Sequence, residues 1–242
     1  MDTLKDALDE RVSEIDAYLV LLDDIDKKVI QAPPRGENSE LSVTSTQQRM
    51  LYSAVYLQLY NLVESTVTAC FDAIADAIAE DECTPGGLSE KLRREWVRFI
   101  ARTHVDLNFE NRLEAAWALC SALVQDIPVD SEFRISGGGS GNWDDKQIEK
   151  TADRLGILLG ISQGVKESIK RPFRNDQGAL SYIKNTRNNL AHGSVSFVEC
   201  SQNDTISDLR DLANITFRYL DEVVVVFQTY IQSREFRLQG TQ

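Results

Sequence analysis

From Gln47 to Glu80 apolar residues fall at helical spacing on nearly every face. Leu51, Val55, Leu59, Leu62, Val63, Val67, Cys70, Phe71, Ile74 and Ile78 form the run, with Tyr52, Tyr56 and Tyr60 on an adjacent stripe. A helix that is apolar almost all round has to be covered on all sides, so it sits at the centre of a fold and needs other elements to wrap it. The rest of the chain supplies helices for that purpose. Leu8, Ile15, Leu22 and Val29, with Val12 and Leu19 between them, make one apolar stripe on a helix of about 28 residues that stops before Pro33 and Pro34. Such a stripe packs on a bundle core, or alternatively recruits a partner helix.

Leu88 to Thr103 reads as amphipathic through Leu92, Trp96, Phe99 and Ile100, and Phe109 to Gln125 through Leu113, Ala116, Trp117, Cys120 and Leu123. Further helices are expected from about Asn142 to Leu159, from Gly178 to His192 and from Ile206 to Arg237. Strand signals are thin, the best being Phe133 to Ile135 and Ser194 to Val198. The expected fold class is all-α, a long-helix bundle with a few extra helices and at most short strands. The 242 residues fit one helical domain, with an N-terminal amphipathic helix over 1–30, a polar linker over 31–46 and the bundle over 47–242.

Several function classes drop out. Cys70, Cys83, Cys120 and Cys200 form no CxxC pair, and the two histidines, His104 and His192, stand apart from them, so a structural zinc site is not expected. Dispersed cysteines of this kind read as reduced thiols packed in a cytosolic core. The acidic N-terminal stretch lacks the basic start and apolar run of a signal peptide, and the longest nearly apolar stretch, Met50 to Val63, is too short to span a bilayer. A cytoplasmic protein without membrane contact is expected. Gly137, Gly138, Gly139 and Gly141 invite comparison with a phosphate-binding loop, but no Lys-Ser/Thr pair follows, and a plain loop is the better reading. The net charge of −12 argues against a broad nucleic-acid-binding face.

His104, beside a helix end, reads as a capping or partly buried residue. His192 is different. It lies in Arg187-Asn188-Asn189-Leu190-Ala191-His192-Gly193, where Gly193 marks the position just past a helix C-terminus. The helix macrodipole favours an imidazolium there, and Asn188 shares a face with His192. Arg187 is about 140° round the helix, but its long side chain can curl into a common cleft. A guanidinium forks onto phosphate, an amide orients an oxygen, and an imidazole moves a proton at neutral pH. The plainer alternative pairs Arg187 with a surface acid and leaves His192 as a cap. Lys166 to Arg187 carries a local charge of +4, which leaves −16 for the remainder. Lys170, Arg171, Arg174 and Lys184 are therefore candidates for RNA or phosphate binding.

The stretch Arg187 to Gly193 resembles the signature of the HEPN superfamily in its common form RN-x-x-A-H-G. Ser196-Phe197-Val198-Glu199, Tyr60-Asn61-Leu62-Val63-Glu64 and Gly141-Asn142-Trp143-Asp144 extend the similarity toward stand-alone MAE-type HEPN proteins of bacteria. That resemblance implies an all-α domain that dimerises with two motifs facing each other across a two-fold axis. It also implies a metal-independent endoribonuclease of defence or toxin systems, needing no cofactor, with RNA as partner and an antitoxin or regulatory protein as a further one. Arg187 and His192 would be the catalytic pair, Asn188 their support, and Glu64 a polar neighbour on the central helix. Two alternatives remain: a non-catalytic HEPN module that binds a nucleotide or a partner protein, and a structural helical protein recruiting a partner through the Leu8 to Val29 stripe.

Overall fold

The computed structural model describes residues 3–31, 43–102, 106–137 and 142–238. His104, Gly138, Gly139, Gly141 and most of the expected linker lie outside them. The elements run α1 (Thr3–Gln31), α2 (Ser45–Glu80), a 3-10 turn (Pro85–Gly87), α3 (Glu90–Ala101), α4 (Phe109–Val124), α5 (Asp145–Leu155), α6 (Gln163–Lys170), α7 (Ala179–Ala191), α8 (Phe197–Cys200) and α9 (Ile206–Gln232). The fold is all-α, built round three long helices.

Helix α2 starts where Thr44 and Gln47 form a capping box: the Thr44 oxygen accepts from Gln47 N–H, and the Gln47 amide accepts from Thr44 N–H. Its apolar run is central as expected, with Val55, Tyr56, Leu59, Tyr60, Cys70, Ile74 and Ile78 inaccessible to solvent. Helices α1 and α9 pack on it and on each other. Leu8, Ile15, Leu19 and Leu22 of α1 are buried in that contact, so these side chains are not open to a partner. The Tyr18 hydroxyl donates to Leu51 O at 2.9 Å, and Lys5 pairs with Asp221 at 2.5 Å, tying α1 to α2 and α9. On the other flank α7 and α8 lie against α2.

Among the described residues no strand forms, and only two isolated bridges occur. The two strand candidates fail for different reasons. Ser196 and Glu199 make a capping box that opens α8, winding 197–200 into a helical turn whose Phe197 carbonyl accepts from the Ser53 hydroxyl. Residues 133–135 run without regular structure but bury Phe133 and Ile135, the former edge-on to Phe99 at 5.6 Å. Helix α6, which was not among the expected helices, buries Ile169 and packs on α9.

Helix α4 forms as expected but faces the other way. Phe109, Leu113, Trp117 and Cys120 are exposed, and no residue of the helix is fully buried. It rests on the core through the half-buried Leu119 and Ala122. The expectation that all four thiols are packed inside therefore fails at Cys120, while Cys70 and Cys83 are buried and Cys200 is half-buried. No described helix is long and apolar enough to cross a membrane.

Candidate functional site

The end of α7 decides where His192 stands. Gly193, at φ +67°, takes the left-handed conformation that lets the chain turn back: its N–H donates to Leu190 O at 3.2 Å and Ser194 N–H to Asn189 O at 2.9 Å. This paired closure satisfies carbonyls that the helix end would otherwise orphan. His192 is the C-cap, its own N–H bonded to Asn188 O at 2.9 Å, and its side chain is exposed.

Five residues earlier, Arg187 is held from several sides. Its guanidinium carbon lies 4.4 Å from the centroid of the Tyr60 ring, a cation over the face of a buried aromatic on α2. One Nη donates to Asn188 Oδ1 at 3.0 Å, and the other lies 4.0 Å from Glu64, one turn beyond Tyr60 on α2. Asn188 in turn donates to Asn142 Oδ1 at 2.8 Å, and the next residue, Trp143, donates its backbone N–H to the Tyr60 hydroxyl at 3.3 Å. Burial, above all, pushes the Tyr60 phenol up, so the guanidinium meets a neutral ring near pH 7.

The Trp143 indole stacks obliquely on Phe71 at 5.7 Å and lies so close to Gly137 that a Cβ there would sit 2.7 Å from the ring. The first of the clustered glycines thus makes room for an aromatic side chain.

Three segments far apart in sequence, around Tyr60, Asn142 and Arg187, therefore meet at one place. Arg187 retains guanidinium N–H groups beyond the one given to Asn188, enough for a forked contact with a phosphate. The basic candidates divide. Lys170 and Arg171 are exposed at the end of α6. Lys184 instead pairs with Asp144, the N-cap of α5, and Arg174 with the inaccessible Asp204, which also accepts from Tyr56 at 2.8 Å. Those two cations hold elements together. Glu64 is half-exposed and within ion-pair range of Arg187.

Sequence reasoning placed Tyr60 in the core and overlooked it as the seat of the guanidinium. The available signal was the four-residue spacing of Tyr60 and Glu64, which puts both on one face of α2. The links from Asn142 to Asn188 and from Asp144 to Lys184 carried no sequence signal. Among the described residues no group of three or more His, Cys, Asp or Glu side chains is gathered that could hold a metal ion.

A family model described as HEPN_MAE_28990-like HEPN matches residues 1–236. No curated protein and no solved structure matches the chain.

Proposed function

The chain belongs to the HEPN_MAE_28990 family of HEPN proteins, and from that membership we propose that it is a metal-independent endoribonuclease. It acts in the cytoplasm as a homodimer in a bacterial defence or toxin-antitoxin setting. The observation that carries the reading is the seating of Arg187: a guanidinium fixed over a buried tyrosine, bonded to Asn188, on a helix that ends with an exposed imidazole.

In this reading the ribose 2'-OH attacks the adjacent phosphorus. The bond from O2' to phosphorus forms, the bond to O5' breaks, and the products are a 2',3'-cyclic phosphate and a 5'-OH end. His192 takes the 2' proton, and the leaving O5' receives one from the His192 imidazole of a second copy. Arg187 binds the phosphoryl oxygens as their charge grows, and Asn188 holds the guanidinium in place. One chain brings one imidazole to the motif, which is why two copies suit a reaction that needs both an acceptor and a donor. An antitoxin or regulatory protein over the cleft would control access.

Incubating wild-type protein and His192→Ala protein with total RNA in EDTA, then identifying the new ends, tests this directly. Cleavage only by the wild type, with cyclic phosphate ends, is the expected result. Undiminished cutting by His192→Ala, or dependence on an added divalent ion, removes the proposal. One observation favours a second reading, a module that binds a nucleotide or partner without cutting: Glu64 stands 4.0 Å from the guanidinium and competes with an incoming phosphate. Nucleotide binding that weakens in Arg187→Ala, with no scission under any condition, would select it.

A further inference from the structure

Helix α4 is apolar on two sides. Leu119 and Ala122 pack against the core and hold the helix in place. Phe109, Leu113, Ala116, Trp117, Cys120 and Val124 lie on the far side within an arc of about 100°, and all six are exposed. Phe109, Leu113, Trp117 and Val124 leave 81%, 58%, 70% and 84% of their surface open. Together the six offer on the order of 600 Å² of apolar surface, at the upper end for a monomer and close to the apolar share of an interface of about 800 Å² per partner.

The order of the residues along the stripe says what fits it. The steps from Phe109 to Val124 are four, three, one, three and four residues, the same from either end. Turning a second copy of the helix end over end, about an axis between Ala116 and Trp117, sets Phe109 against Val124, Leu113 against Cys120 and Trp117 against Ala116. Each pairing occurs twice, as a two-fold contact requires. Each also joins a larger side chain to a smaller one, which lets the two surfaces interdigitate.

Charge selects the same arrangement. Glu110, Arg112 and Glu114 are the charged residues of α4, all within its first six positions, and residues 115–124 carry no charge. Antiparallel alignment lays the charged half of each helix against the uncharged half of the other. Parallel alignment would bring Glu110 to Glu110 and Glu114 to Glu114. In a chain of net charge −12, copies meet best where no carboxylates are brought together.

We propose that α4 is a self-association face: two copies of the chain pair antiparallel along their α4 helices, about a two-fold axis between Ala116 and Trp117. The contact is reversible, so dilution returns Trp117 and Cys120 to solvent. It is separate from the candidate site, since α4 packs on α3 and the 3-10 turn whereas Arg187 lies against α2. Where the RN-x-x-A-H motifs pair as well, the two interfaces together assemble four copies. The inference owes nothing to the ribonuclease reading.

Sedimentation velocity of the intact protein over a dilution series tests it, comparing wild type with Trp117→Glu, which sets two like charges beside the axis. The expected result is that Trp117→Glu halves the mass seen at high concentration, from four copies to two or from two to one, with unchanged circular dichroism. A register test accompanies it on the wild type. Cys120 and its symmetry mate are offset by about 10 Å along the helices, so a bismaleimide of about that span should link them, whereas the offset is too long for a direct disulfide. A wild type that stays monomeric, or a mass that Trp117→Glu leaves unchanged, overturns the proposal and leaves the face to a different protein. A ready Cys120 to Cys120 disulfide overturns the antiparallel register. If Trp117→Glu loses helicity, the bismaleimide product decides: its formation supports the pairing and its absence ends it.

Discussion

The guanidinium of Arg187 and the ring of Tyr60 are stacked at 4.4 Å, which places the charge of one helix on the aromatic face of another. A contact of this kind is worth about 0.5 to 2 kcal/mol depending on desolvation. Tyr60→Leu should therefore lower kcat/KM for RNA about 2- to 30-fold, whereas Tyr60→Phe keeps the ring and most of the activity. A Tyr60→Phe defect as deep as that of Tyr60→Leu would mean that the hydroxyl, not the face, matters.

Arg187→Ala and His192→Ala should each reduce cleavage by about 10² to 10⁴-fold with unchanged far-ultraviolet circular dichroism. Arg187→Lys should not restore activity, because an ammonium cannot reproduce the planar fork. Single-turnover rates at saturating RNA separate a lost chemical step from weakened binding.

Gly178 precedes α7 so tightly that a Cβ would stand 2.6 Å from the Ile169 carbonyl oxygen on α6. Gly178→Ala must push the two helices apart, with an expected loss of about 1 to 3 kcal/mol in urea unfolding. A neutral effect would show that the α6 to α7 junction is slack.

Burial, first, and the neighbouring Asp144, second, raise the pKa of Asp145. A carboxyl raised in the folded state contributes stability that is present below its unfolded pKa and lost as pH rises through the folded one. Asp145→Asn should accordingly raise the melting temperature at pH 7, with the gain shrinking as pH falls into the carboxylate range. A gain that is the same at pH 3.5 and pH 7 would assign the effect to packing instead.

Burial pushes the Cys70 thiol up to about 12, so it should resist alkylation in the native protein, while the exposed Cys120 reacts first. Mass spectrometry after brief iodoacetamide treatment gives the order.

The long helices were legible because periodicity extends over many turns. The central position of α2 and the buried stripe of α1 follow from apolar spacing alone. The orientation of α4 was not, since an amphipathic pattern states that a face is apolar without saying what covers it. Likewise the spacing of Arg187, Asn188 and His192 named candidates without saying what supports Arg187. Tyr60 and Asn142 lie 127 and 46 positions from the residues they contact, and no local pattern reports so distant a contact. Arg174 and Lys184 looked like ligand-binding cations for the same reason: their partners, Asp204 and Asp144, are 30 and 40 positions away.

Trp117 on α4 exposes 70% of its surface, whereas Trp96 and Trp143 expose 2% and 6%. The three indoles are thus separable by solvent access alone, with no label required. Iodide should quench Trp117 selectively, so shielding of that emission reports whatever comes to lie on α4. The residual blue-shifted signal, in which Trp143 is one backbone step from Asn142, gives an independent optical record of events beside Arg187.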